Sequence, residues 1–298
     1  MPGPHCPPRR SASRRSPWCP SSPSPSCPVE PDSSLPNILG GSVDLLTLAT
    51  EVAREGAAYV RGRAGEAFVV ATKSSELDVV TATDREAEAL IRDALLAARP
   101  LDGFLGEESG HRPGSSGLTW IVDPIDGTVN HLYRSAPCAV SVAVVSGWPG
   151  AWTAEAGAVV TLPAGEVFAA ARGRGATLDG RPLRASGETR LGRALVSTGL
   201  AYDRAARARQ LAVLAELAPD VRDVRMSGSA CADLCAVAAG RLDGYYERGL
   251  GPWDHAAGAL IAREAGAVVE GPGGGPPDGE LVLAAAPGIA AALRRAVG

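Results

Sequence analysis

The sequence predicts a layered α/β fold. Three observations carry that expectation: long stretches with apolar residues at helical spacing, short apolar runs bounded by turn residues, and a second half in which strand-like and helix-like segments alternate. No internal repeat interrupts the pattern.

Residues 1–40 stand apart from the rest. They hold 11 of the 24 prolines, many serines and four arginines, with acids only at Glu30 and Asp32. Such a segment cannot bury a core, so a disordered Pro/Ser/Arg-rich tail is expected, followed by one domain over 41–298. A Ser/Arg-rich start resembles a transit peptide, but its proline density argues against an amphipathic helix.

Within the domain, VDLLTLATEVAREGAAYVRGR reads as a long amphipathic helix. TATDREAEALIRDALLAARP reads as a second helix, with Thr83 or Asp84 near its start and Pro100 after its end. A short strand, GFLG, runs into the acidic loop GEES. Strands follow in LTWIVDP, CAVSVAVV, EAGAVVTLP and EVFAAAR. The second half then alternates: strand ALVSTGLA, helix ARQLAVLAELAP, strand DVRDVRM, helix SACADLCAVAAG, strand LDGYYER. Helix WDHAAGALIAREAG, strand ELVLAAA and helix PGIAAALRRAV close the chain.

Composition narrows the function. A chain of 298 residues, 45% hydrophobic with a net charge of −4, supports a substantial core and gives no general case for nucleic-acid binding. No apolar run approaches the ~20 residues that span a bilayer, so a soluble, cytoplasmic protein is expected. Six cysteines include no CxxC pair and no zinc-like spacing; Cys231 and Cys235, four apart on a helix, read as small buried hydrophobes. Of 29 basic residues only Lys73 is a lysine. That position is either incidental or one where a compact ammonium is required.

The chemistry lies in acidic residues at segment ends: Asp84 in TATD, Glu107 and Glu108 in GEES, Asp123 and Asp126 in DPIDGT, and Asp254 in PWDHAAG. Each has an ordinary structural reading as a helix cap, a solvated loop, a turn, or the N-cap of the last long helix. Together they differ from a charged surface, because none lies in a charge run and three directly follow apolar segments. Carboxylates delivered from several segment ends suit Mg²⁺, which takes oxygen ligands and is often completed by substrate phosphate. Two such ions about 3.5–4 Å apart can activate a water and stabilise a leaving oxygen. Pro124 stiffens DPIDGT, so Asp123 and Asp126 can reach adjacent ions, while Gly127 and Thr128 lead toward a helix whose first amides can hold a phosphate.

The ordered set TKSSELDVVTATD, GEES, DPIDGTVN and PWDHAAGALIAREAG resembles the inositol monophosphatase family, part of a superfamily of Mg²⁺-dependent, lithium-sensitive phosphatases. The resemblance runs from about residue 42 to the end, and VRDVRMSGSACADLCAVAAGRLDGYYERG is most similar to bacterial inositol-1-monophosphatases. It implies an αβαβα sandwich, a homodimer, and two to three Mg²⁺ ions per active site. It also implies residue roles. Glu107, Asp123 and the carbonyl of Ile125 would hold the first ion. Asp123, Asp126 and Asp254 would hold the second, with Glu107 helping a third through water. Asp84 and Thr128 would position or deprotonate the attacking water, and the Gly127 and Thr128 amides would bind phosphate. Glu247 would pair with inositol hydroxyls, Ala230 would line the same pocket, and Lys73 would stand at its entrance. Arg225 is expected either near that pocket or at a subunit interface.

Three departures or loose ends remain: His131 where many relatives carry an aromatic, His255 after Asp254, and His111 after GEESG. Mg²⁺ prefers oxygen, so the first two read as residues of the pocket wall or supports behind the ligands, and His111 as loop. The expected reaction is hydrolysis of myo-inositol 1-phosphate or a related polyol monophosphate by a metal-activated water. Histidinol phosphate, fructose 1,6-bisphosphate and 3′-phosphoadenosine 5′-phosphate are the competing substrates. A regulatory binding protein on the same fold is a second class. A serine hydrolase fits poorly, since Ser109 lies in EESG and not in a G-x-S-x-G elbow.

Overall fold

Helix α1 (Leu45–Gly62) begins where the Asp44 carboxylate accepts the Thr47 N–H at 3.1 Å, and its buried stripe runs through Leu48, Val52, Ala53 and Val60. The computed structural model describes Met1 and residues 44–63, 69–72, 79–135, 137–149 and 151–298. The tail expected over 1–40 and Lys73 fall outside the described residues. A hairpin of β1 (Val69–Thr72) and β2 (Val79–Thr81) leads into α2 (Ala82–Ala98). Thr81 and Asp84 cap α2 reciprocally, which satisfies otherwise orphaned amides at its start.

The large sheet follows: β3 (Gly103–Gly106), β4 (Gly110–Arg112), β5 (Leu118–Asp126), then after the short α3 (Thr128–Leu132), β6 (Cys138–Ser146), β7 (Thr153–Leu162), β8 (Val167–Ala171), β9 (Ala176–Leu178) and β10 (Arg181–Pro182). Its order is β10-β9-β8-β7-β6-β5-β3-β4, antiparallel except for the β3–β5 pair. The smaller sheet draws on β11 (Leu195–Thr198), β12 (Asp223–Arg225), β13 (Gly244–Glu247), β14 (Val268–Glu270) and β15 (Val282–Ala285), in the order β12-β11-β13-β15-β14. Its first three strands are parallel because α4 (Arg204–Leu217) and α5 (Ala230–Ala238) act as crossovers. Helices α6 (Pro252–Glu264) and α7 (Ala290–Val297) complete the chain.

Strand alternation sorts the core into layers. On β6, Val140, Val142 and Val144 pack with α1 and α2, while Ala139, Ala143 and Val145 face α5 and α6. On β13, Tyr245 faces α5 and α6, whereas the next residue, Tyr246, faces away with Leu217, Ile289 and Leu293 of the outer helices. The result is α1/α2, large sheet, α5/α6, small sheet, α4/α7: the expected αβαβα sandwich. Among the described residues no helix is long and apolar enough to cross a membrane. Cys138, Cys231 and Cys235 are free and buried, as small hydrophobes would be; burial pushes the Cys138 thiol up to about 12.

The middle layer is tight where α5 meets α6. A Cβ on Gly258 would stand 2.8 Å from the Leu234 Cβ, so a glycine allows the two helices to approach. Both bring residues to the cleft described below. Gly258→Val is expected to cost about 1–3 kcal/mol by overpacking. Thermal denaturation should show a Tm lower by roughly 2–10 °C.

Candidate active site

The carboxylates meet because β5 contains a β-bulge. Its register against β6 pairs Asp123 with Ser141 but Asp126 with Ala139, so one extra residue is accommodated on β5. In a regular strand, residues three apart face opposite sides; the extra residue returns Asp126 to the side of Asp123. DPIDGT is therefore the bulged end of a strand, and the chain turns only at Gly127, whose φ of 92° suits glycine.

Asp254 joins from α6. It sits at the third residue of that helix, not at the N-cap as its sequence context suggests; the cap is Gly251, whose N–H donates to Asp254 Oδ2 at 2.6 Å. One carboxylate oxygen from each of Asp123, Asp126 and Asp254 lies within 4.8 Å of the others. Asp126 is fixed from α5: Ser229 Oγ donates to its Oδ2 at 2.7 Å and the Cys231 N–H at 2.6 Å. Ser229 also caps α5, so Asp126 meets the positive end of that helix.

These three carboxyls are held above the ordinary carboxylate range. For Asp123 the first cause is burial, followed by the charges of Glu107, Asp126 and Asp254. Asp254 is raised by burial, then by Asp126 and Glu107. Asp126 is raised by burial, which the Ser229 and Cys231 donors partly offset. Among the described residues no arginine pairs with any of the three. Asp123 Oδ1 accepts the Ile125 N–H at 3.0 Å, but its Oδ2 is buried with no donor among the described residues. A buried acceptor with no donor, inside an all-oxygen set that repels itself, suits a divalent cation and Mg²⁺ chemistry in particular.

The cluster lies on one wall of a cleft of about 540 Å³. Glu107, Ile125, Gly127 and Thr128 line it beside the three aspartates. Ala230, the first residue of α5, and Glu247, at the end of β13, line it as well, so nearly every site residue named from sequence converges there. Asp84 stands behind Thr128: the Thr128 Oγ lies 3.1 Å from both Asp84 Oδ1 and the Ile125 carbonyl, and the other Asp84 oxygen accepts the Thr81 N–H at 2.8 Å. Capping α2 and holding Thr128 are thus one arrangement.

Glu247 is pushed up to about 7, chiefly by burial, against the Tyr245 hydroxyl that donates to its Oε2 at 2.7 Å. Arg225 does not line the cleft; it is exposed and pairs with Asp223 at 2.6 Å. His111, expected in a loop, forms part of β4, and its ring lies 6.4 Å from that of Trp148. His255 is buried and stacked 5.8 Å from the Trp152 ring, where burial pushes it down to about 4. His131 is buried on α3, held below its usual range by burial despite nearby Asp84. Neither histidine lines the cleft.

Sequence reasoning missed Ser229, Tyr245, Trp253 and the 199–203 loop, which also border or support the cleft. Ser229 alone carried a readable signal, an N-cap serine before an apolar helix.

The sequence model of the inositol monophosphatase family matches residues 43–297. The inositol-1-monophosphatase of Mycobacterium leprae is 47% identical over 275 residues, covering 85% of this chain and 93% of that protein. The solved structure of Mycobacterium tuberculosis SuhB is 46% identical with a TM-score of 0.73, covering 85% of this chain and 94% of its own. A protein named Nus factor SuhB from Salmonella typhimurium is 37% identical, covering 76% of this chain and 84% of that protein. With the layered fold and the carboxylate cleft, these matches establish that the chain belongs to the inositol monophosphatase family and is a phosphatase.

Proposed function

We propose that this phosphatase is a Mg²⁺-dependent phosphomonoesterase acting on myo-inositol 1-phosphate or a closely related polyol monophosphate. The observation that carries the reading is one cleft with a self-repelling carboxylate cluster on one wall and the Tyr245–Glu247 pair on the other. Glu107, Asp123, Asp126, Asp254 and the Ile125 carbonyl would hold two to three Mg²⁺ ions. When bound, Mg²⁺ would neutralise charge building on the phosphoryl and leaving oxygens and acidify the attacking water.

The chain's own groups do the rest. The Thr128 hydroxyl donates toward Asp84 and can accept a hydrogen bond from the attacking water, so that as water gives up a proton to Thr128, Thr128 passes its own to Asp84. Asp84 cannot swing away, because the Thr81 amide holds its second oxygen. The amides of Gly127 and Thr128 bind phosphate oxygens. Ser229 and the Cys231 amide keep Asp126 aimed at the cluster. Glu247, steadied by Tyr245, accepts hydrogen bonds from polyol hydroxyls, and a ligand lacking them would leave this carboxylate unpaired. The small side chain of Ala230, at the start of α5, leaves room for the polyol, and Lys73 is assigned to the entrance by family resemblance. Inhibition by Li⁺ belongs to the same reading, as does a cytoplasmic homodimer. Exposed Tyr133 and Met226 lie on neighbouring loops that Asn130 joins by donating to the Ser227 carbonyl at 2.7 Å, and they offer apolar surface to a second copy. The Nus factor relative favours a second, regulatory reading on this fold, which a catalytically silent protein would support.

Phosphate release from a panel of inositol 1-phosphate, histidinol phosphate, fructose 1,6-bisphosphate and 3′-phosphoadenosine 5′-phosphate tests the substrate. Inositol 1-phosphate should be turned over fastest, only with Mg²⁺, and Li⁺ should inhibit. Faster turnover of histidinol phosphate would reverse the substrate assignment.

Asp123→Asn should lower kcat by more than about 100-fold, since it removes a negative group from the shared cluster. Its Tm without metal should rise, because the substitution relieves buried like-charge repulsion. Near-native turnover in the folded variant would refute the assignment.

Glu247 adds a pH signature. Its folded value, about 7, exceeds the ordinary 4.5, so the native state holds the proton more tightly. Its contribution to stability is therefore full below about 4.5 and is lost as pH rises through about 7. For catalysis the sign is opposite: substrate KM should rise as pH falls below about 7, where the acceptor carboxylate is protonated. Glu247→Gln should flatten that KM profile; an unchanged profile would remove Glu247 from substrate binding.

A further inference from the structure

We infer that Glu88 is a positioning residue for Glu107 and thereby sets the affinity of the cleft for its cation; the inference rests on the metal-binding reading above. Glu88 lies on α2, one helical turn beyond Asp84, and its side chain is buried. Its Oε2 accepts the Glu108 N–H at 2.7 Å and its Oε1 accepts the Ser109 N–H at 2.8 Å. These two amides directly follow Glu107. On the other side, the Glu107 N–H donates to the Val122 carbonyl at 3.2 Å, the residue before Asp123. Glu107 is thus gripped between the strand that carries Asp123 and the helix that carries Asp84.

The carboxylate packs closely against Gly106. A Cβ on Gly106, the first residue of GEES, would overlap the Glu88 carboxyl, so the glycine is what lets the side chain reach both amides. Only a carboxylate can accept from two converging amides through two oxygens. A glutamine offers one oxygen and turns an N–H₂ toward the second donor, and an aspartate is one methylene too short. Either change frees part of the turn after Glu107 without touching any of the carboxylates assigned to the cation. Groups that orient ligating carboxylates typically change metal affinity by about 10–100-fold when removed.

The test is Mn²⁺ binding to the metal-free, full-length protein, followed by the electron paramagnetic resonance signal of free Mn²⁺, in wild type, Glu88→Gln, Glu88→Asp, Asp102→Asn and Asp123→Asn. Asp102 is a buried carboxylate just before β3, at the opposite end of that strand from Glu107, that accepts the Trp120 indole N–H at 2.9 Å and pairs with Arg99. It serves as a control for general destabilisation. Glu88→Gln and Glu88→Asp should weaken Mn²⁺ binding by about 10–100-fold. They should raise the Mg²⁺ concentration for half-maximal activity by a similar factor. At saturating Mg²⁺ they should recover kcat, with substrate KM unchanged. Asp102→Asn should lower Tm and leave Mn²⁺ affinity as in wild type. If one Glu88 variant does not fold, the other decides. Wild-type Mn²⁺ affinity in a folded Glu88 variant, beside loss of binding in Asp123→Asn, overturns the role of Glu88. An equal loss of affinity in Asp102→Asn also overturns it, since destabilisation alone would then explain the effect. Wild-type binding in Asp123→Asn overturns the metal assignment itself.

Discussion

Everything about this cleft follows from the cost of gathering buried carboxylates. Asp123, Asp126 and Asp254 come within 4.8 Å of one another in a region that holds each of them above the usual range. Left alone, such a cluster would push its members apart or into solvent. The protein prevents both by mounting them on rigid supports: a bulged strand, the start of a helix, and a second helix whose first turn grips Asp126. The electrostatic tension that remains is what a hard cation relieves.

The supports are economical because each one serves twice. The Thr81–Asp84 cap stabilises the start of α2 and also presents the oxygen that meets Thr128. Ser229 caps α5 and donates to Asp126. Asp254 receives the Gly251 amide at the start of α6 and faces the cluster. Helix ends recur for a physical reason: their unpaired amides need acceptors, and carboxylates near them are favoured by the helix dipole. The structural and functional readings of these acids, which compete when each is viewed alone, are compatible at all three positions.

The two walls of the cleft are built on different physics. The cluster wall comes from the large sheet and the middle helices. The opposite wall rests on β13 of the small sheet, where Tyr245 and Glu247 point the same way because strand residues two apart share a face. A partly desolvated glutamate near neutral pH is a selective partner for hydroxyl groups, whereas the aspartates are suited to charge. On the proposed reading, phosphate and alcohol would therefore meet different groups of the cleft.

The types of the longer elements and the identity of the acids were legible in the amino-acid sequence. Helical spacing located α1, α2 and α4 to α7; apolar runs located the long strands; and the order of the acidic motifs named the residues that converge. Short strands such as β4, β9, β10 and β14 were not legible, because two or three residues carry too little pattern and exist only through pairing with neighbours. Tertiary structure alone decided what brings the acids together. The bulge that re-aims Asp126, the grip of Ser229 and Cys231 on it, and the reach of Glu88 to the GEES turn depend on groups from 13 to 105 positions apart. Local propensity acts within a few residues, so it can say which side chains are present; only packing of the sheets against the helices between them sets where their oxygens lie.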